Sequence, residues 1–446
     1  VNAALPGISV DEINAKAKDW IVDRNKTIIV SGPSEGAKHL TKEEALALIE
    51  KVKTAEILPY EDKVAASSLI SKELEGSKIV STKKLDTFGA QEWTLGNGVK
   101  VVYRHADYEK DAISLRSFSK GGSSLFDADY VPSIMMANTF INAYGVGDFD
   151  AISLQKMLTG KKVQVSPNLS DLTEGFRGSS TPKDLETMLQ LVYLYFEHPR
   201  FDDGAHNALR GRYAAYMSNL ANDPSKIMSD SLGRILTNYN ERTKIMNAEF
   251  FNHVELQRIE EIYKDRFQDA SDFTFFIVGN VAEDTLKPMV EKYLGSLTDL
   301  TREESWRDNH VEIPKGRTEK EISLIMKTPK SNVNVIFRKD LAFTQKNVLG
   351  LKVIKSILDL RYTEKIREEE GGTYGVAVRV SIEQFPKSDA TLSMFFDCDP
   401  VKADVLKSLI YKEIEKIREN GPSALDLDKS VKNMLKTREQ SKLHND

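Results

Sequence analysis

Two stretches far apart in the chain share one order of elements, and that repetition restricts the fold more than any single motif does. Near the start, VDEINAKAKDWIVDRNKTIIVSGPSEGAKHLTKEEALALIEKV predicts an amphipathic helix, a β-rich strand ending at Gly32, a Gly-Pro turn and a second helix. From Val254, VELQRIEEIYKDRFQDASDFTFFIVGNVAEDTLKPMVEKYLGSL predicts helix, strand ending at Gly279, Gly-Asn turn and helix. A second unit, two amphipathic helices joined by a proline-containing turn, occurs as LETMLQLVYLYFEHPRFDDGAHNALRGRYAAYMSNL and again as LKSLIYKEIEKIRENGPSALDLDKSVKNMLKTREQSKL. In mid-chain the second unit leads on to the first, as though the first closes a module; near the C-terminus it leads nowhere.

The expected organisation is one complete module at 85–300, preceded by the closing unit of another at 1–58 and followed by a final module at 318–446 that lacks its closing unit. On this reading the chain is cut at both ends. Two connectors are expected, a polar one at 59–84 with one short helix and a charged one with proline and glycine at 301–317. A length of 446 residues agrees with more than one core.

Strand patterning sets the class. TYGVAVRVSI puts Tyr374, Val376, Val378, Val380 and Ile382 on one face, and ATLSMFFDC does the same for Ala390, Leu392, Met394, Phe396 and Cys398. Alternation with one apolar face describes a sheet covered on one side. WTLGNGVKVVYRH carries Asn97-Gly98, a tight hairpin signal. The helix from Lys402 to Asn420 collects Val405, Leu406, Leu409, Ile410, Ile414 and Ile417 on one stripe. The fold class is therefore α+β: homologous modules, each an antiparallel-rich mixed sheet with helices on one face.

Self-sufficient chemistry is hard to find. A helical zinc pair needs two ligands one turn apart, and none of the seven histidines lies three or four positions from another. His39 and Glu43 share a helical spacing but supply two ligands at most, as expected of a solvated face. SGPSEGAKH lacks the glycine spacing and the Lys-Ser/Thr step of a phosphate loop. No G-x-S-x-G elbow occurs, and GGSSLFD at 121–127 reads as a strand exit. The single cysteine, Cys398, excludes an internal disulfide and reads as a core thiol. A net charge of −5 without a basic block argues against a nucleic-acid surface. The longest apolar runs are strand-sized, so no membrane span is expected, and the chain reads as soluble, in periplasm or cytoplasm alike.

In order, WTLGNGVKVVYR, SKGGSSLF, LQKMLTGKKVQVSPNL, FRGSSTPKDLETMLQLVYLYFEHPRFD and LRYTEKIREEEGGTYGVAV resemble the C-terminal half of a pitrilysin-type zinc metallopeptidase. This is the inverzincin family of insulin-degrading enzyme and the mitochondrial processing peptidases, and the match covers nearly the whole chain. The resemblance implies four homologous modules whose halves close like a clamshell around an unfolded peptide. Zinc would be held by an H-x-x-E-H motif in an N-terminal catalytic half, as part of the same polypeptide, and this fragment alone would be inactive. In the present sequence VPSIMMANT falls over that motif, placing Ile134, Ala137 and Asn138 where ligands and base would stand, so no metal is expected here. The family also keeps an arginine and, seven positions on, a tyrosine that reach the zinc site from the far half, and the matching residues are Arg367 and Tyr374. A phenol can donate to a developing oxyanion and a guanidinium can hold peptide carbonyls. The alternative is a non-catalytic assembly or core subunit of the same fold.

Overall fold

The computed structural model describes residues 5–22, 24–32, 36, 38–58, 68–369, 373, 375–442 and 444. It divides into two compact units, residues 1–63 and 64–446. In the first, α1 (Val10–Trp20) starts where the Ser9 hydroxyl accepts the Glu12 N–H, and α2 (Lys42–Thr54) starts at a reciprocal box between Thr41 and Glu44. Such caps satisfy amide groups that a helix leaves unpaired in its first turn. The strand expected before Gly32 is not formed among the described residues. Extended backbone becomes a strand only when a neighbour pairs with it, and the described residues of this unit offer none.

The second unit opens with β1 (Ile79–Leu85), β2 (Ala90–Leu95), β3 (Lys100–His105) and β4 (Ile113–Lys120). There follow α3 (Val131–Tyr144), α4 (Ala151–Met157), β5 (Val163–Leu169), β6 (Thr173–Ser180), α5 (Leu185–Glu197), α6 (Asp203–Asn219), α7 (Pro224–Leu236), α8 (Leu256–Phe267), β7 (Thr274–Gly279) and α9 (Glu283–Tyr293). The seven strands lie in the order β1-β2-β3-β7-β4-β6-β5. Only β3 and β7 run parallel; the other neighbours are antiparallel. The stretch read as a connector thus contributes an edge strand, β1, and residues 68–78 hold no helix. Its β-branched Ile79, Val80 and Thr82 favour an extended chain beside β2.

One face of this sheet is covered. Trp93, Leu115, Phe275 and Ile277 point into a core with Phe140 of α3, Leu189 of α5, Tyr263 of α8 and Leu286 of α9, all at most 1% exposed. Each such side chain stabilises the fold by about 1.5–3 kcal/mol. The expected β2–β3 hairpin is present, with Gly98 at φ 84° in its turn. Asn97 turns inward and donates to the carbonyls of Leu294 and Leu297, fastening the turn to the end of α9.

The last elements are β8 (Ser331–Asp340), α10 (Gln345–Tyr362), β9 (Ala377–Glu383), β10 (Asp389–Cys398), α11 (Ala403–Asn420) and α12 (Ala424–Ser441). Their antiparallel sheet has the order β8-β10-β9. Val378, Met394, Phe396 and Cys398 share its apolar face and meet Leu358, Leu406 and Ile410. Val405, expected on the buried stripe of α11, is exposed, because that stripe centres on Leu406, Ile410 and Glu413. Buried Glu413 pairs with Arg361 of α10, whose other nitrogen reaches Asp426 of α12, so one arginine ties three helices.

A second arginine organises the seven-stranded part. Arg266, near the end of α8, has a side chain 1% exposed and faces Glu174 of β6, Asp265 and Glu304. Glu174 accepts the Gly122 N–H at 2.6 Å. A side chain on Gly121 would strike the Arg266 guanidinium, and one on Gly122 would strike the backbone at Asp171 and Thr173, so both glycines are required. The loop is clasped further by Arg242, donating to the carbonyls of Phe126 and Ser123, and by Arg307, donating to those of Ser124 and Phe126. Residues 300–309 are thereby pinned to the module, helped by the Leu300 and Arg302 amides donating to Asp269.

Burial pushes the Glu174 carboxyl up to about 7, although the Gly122 N–H and Arg266 pull the other way. The folded state therefore binds a proton on Glu174 where the unfolded chain has lost it. Below the unfolded value both states are protonated and the site costs nothing; stability falls as pH rises from about 4.5 through 7. Glu174→Gln keeps an acceptor for Gly122 and removes this titration. The loss of urea resistance between pH 5 and 8 is expected to be smaller in the variant than in the parent chain, and equal slopes would contradict the assignment.

Candidate functional site

Arg367 and Tyr374 belong to the segment between α10 and β9. The last turn of α10 is anchored by Tyr362, whose hydroxyl donates to the Ile410 carbonyl. A wide π-type turn, Thr363–Glu369, follows, and Ile366 within it is fully buried. Arg367 comes directly after that anchor; its side chain, and the whole of Tyr374, lie outside the described residues. On the far side, the Gly375 N–H donates to Thr373 Oγ1, and β9 begins at Ala377, with buried Val378 opposite Met394. The segment is thus held at both ends by core residues. Cys398 is buried on β10, and burial with Asp397 and Asp399 nearby pushes its thiol up, away from nucleophilic use.

The helix expected to stand over a zinc motif is α3, and its chemistry points elsewhere. Ala137 is fully buried and Ile134 half-buried. Asn138 turns its amide onto β5: Nδ2 donates to the Leu169 carbonyl at 2.9 Å, and Oδ1 accepts the Leu169 N–H at 2.7 Å. The space beside it, lined by Ile141, Pro167, Ile262 and Tyr263, holds only about 10 Å³. Isoleucine, alanine and an engaged neutral amide do not fit a zinc ion, which takes imidazole, thiolate or carboxylate. Among the described residues no three His, Cys, Asp or Glu side chains converge as metal ligands.

On the opposite face of the seven-stranded sheet Arg116, Phe118 and Arg177 are exposed, and here the strands present a groove of about 560 Å³. Ser114, Arg116 and Phe118 of β4, Phe276 and Val278 of β7, and Arg177 of β6 line it. Phe118 and Phe276 stack with ring centroids 5.8 Å apart. The period-two pattern that buries Leu115 and Ile277 leaves exactly their neighbours on this side. In the sequence an exposed strand face of mixed polar and apolar residues normally reads as solvated surface. At the sheet edge, β5 contains Pro167, which has no N–H to offer a further strand.

A family model described as the peptidase M16 inactive domain matches residues 253–434, from the approach to α8 into α12. The probable zinc protease PqqL of Escherichia coli K12 is 26% identical over 373 residues, covering 80% of this chain and 38% of that protein. The crystal structure of the periplasmic protease PqqL from Escherichia coli superposes with a TM-score of 0.71 at 22% identity, over 89% of this chain and 44% of the other. A mutant of the ferredoxin protease FusC in complex with Arabidopsis ferredoxin gives a TM-score of 0.73 at 15% identity, over 99% of this chain and 48% of that one. The chain spans less than half the length of these relatives.

Asn138 is expected to act as a structural clasp. Asn138→Ala leaves the Leu169 amide and carbonyl without their partners, at a cost of about 1–3 kcal/mol. Hydrogen exchange at the Leu169 amide should accelerate in the variant while that of buried β7 is little changed; unaltered exchange at Leu169 would show that the clasp carries no weight.

Proposed function

Since the chain corresponds to the C-terminal half of a pitrilysin-type zinc metallopeptidase, carrying that family's inactive domain, we propose that it forms the substrate-binding lid of a clamshell endopeptidase. In this reading zinc is bound by an N-terminal catalytic half in the same polypeptide. Residues 1–58 close a preceding module, the stretch from β1 through residue 309 forms a complete non-catalytic module, and 318–446 form most of the last one. The substrate is an unfolded peptide enclosed between the halves.

The observation that carries the proposal is the pairing of a disarmed α3 with an uncovered sheet face. Where a catalytic module would hold metal ligands, this one has Asn138 clasped to Leu169, so the module binds without cutting. The open face, with its groove, is the surface that a lid would turn toward the peptide. Arg367 and Tyr374 are assigned auxiliary roles: the guanidinium holds a substrate carbonyl, and the phenol donates to the oxygen that gains charge during hydrolysis. Neither group has a scissile bond to act on without the other half.

Reconstitution tests this. The N-terminal half of the same polypeptide, made separately and loaded with zinc, is expected to cleave an unstructured peptide only when this chain is added. Tyr374→Phe should lower kcat by on the order of 10²–10³-fold, the loss seen when one oxyanion donor is removed. Arg367→Lys should chiefly raise KM. Cleavage by the N-terminal half alone at the full rate, or rates unaltered by both substitutions in a complex shown to assemble, would overturn the proposal.

A further inference from the structure

The open face of β3, β7, β4 and β6 is strongly one-signed in a chain whose net charge is −5. Lys100, Arg104, Arg116, Lys120 and Arg177 occupy its outward positions and no carboxylate does; Glu174 of β6 points the other way and is buried. Arg116 and Arg177 are direct cross-strand partners in the β4–β6 ladder. Like charges placed opposite each other destabilise a sheet, and neither guanidinium has a hydrogen-bond or ion-pair partner among the described residues. Phe276 continues the same row on β7, and Phe118 stacks on it, so an apolar wall adjoins the two cations.

We propose that Arg116 and Arg177 form a carboxylate-binding subsite that grips an acidic side chain of the peptide, while Phe118 and Phe276 take a neighbouring apolar residue. This rests on the lid reading and deepens it by naming a substrate preference. Charge complementarity selects the occupant: two planar guanidiniums facing one groove match the two oxygens of an Asp or Glu side chain, and binding relieves the repulsion between them. The mode of grip follows from the edge. Pro167 makes the β5 edge beside the groove a poor template for an added strand, which leaves side chains of the face to grip the peptide there.

The test measures binding of C-terminally amidated fluorescent peptides to the full 446-residue chain by anisotropy. One peptide carries an acidic pair beside a leucine, and its match has the acids replaced by the corresponding amides. The acidic peptide should bind at least about tenfold more tightly, with the difference shrinking in salt. Arg116→Gln with Arg177→Gln should remove the difference between the two peptides; circular dichroism melting should show no loss of stability, since both side chains are exposed. Equal binding of the two peptides overturns the subsite alone. So does a preference that survives the double substitution, or displacement of the acidic peptide by a single-stranded oligonucleotide at lower concentration than by unlabelled acidic peptide. Binding of neither peptide would overturn the lid reading together with the subsite.

Discussion

A charge buried among hydrophobic side chains is stable only if partners reach it from the surrounding elements, and Arg266 turns that constraint into architecture. Its guanidinium near the end of α8 gathers Glu174 from β6, its neighbour Asp265 and Glu304 from the segment after α9. Through Glu174 it also fixes Gly122 and the loop that leads into α3. Removing one partner of such a group costs about 3–5 kcal/mol, because the remaining charge is stranded in the core. Arg361 does the same for the three-stranded part, joining Glu413 of α11 and Asp426 of α12 to α10. Both arginines sit near helix C-termini, where the helix dipole favours a cation.

The consequence is a sheet with two different faces. Helices α3, α5, α8 and α9 are locked onto one side by the core and by the Arg266 cluster, leaving β4, β6 and β7 to present the other side to solvent. On the side facing the helices no metal-ligand cluster forms among the described residues, and Asn138 serves as a peg for β5. The uncovered side presents cations, Arg116 and Arg177, without a side-chain partner among the described residues, beside the stacked rings of Phe118 and Phe276.

Much of this was legible in the sequence for identifiable reasons. The alternation in β9 and β10, the Asn97-Gly98 turn and the paired helices α5–α6 and α11–α12 are local patterns whose periods the structure reproduces. The strand before Gly32 was not realised, since composition cannot say whether a partner strand exists. Charged residues after Leu300 looked like a solvated connector, yet Arg302, Glu304 and Arg307 meet groups far away in sequence. A signal for Arg266 was present: it falls in phase with Ile259, Ile262, Tyr263 and Phe267 on the buried stripe of α8. Arg116 and Arg177 became meaningful only once the ladder set them side by side, because register between distant strands is not written in either one alone. Of the two residues carried by family resemblance, Arg367 is located as to backbone only, just after the buried Ile366, and Tyr374 falls outside the described residues.

The most direct measurement is the structure of the intact polypeptide with an uncleaved peptide bound. The account predicts that the exposed face carrying Arg116, Phe118 and Arg177 lines the enclosed chamber, with Arg367 and Tyr374 within reach of the peptide at the zinc of the opposite half. A peptide bound elsewhere, with this face turned outward to bulk solvent, would contradict it.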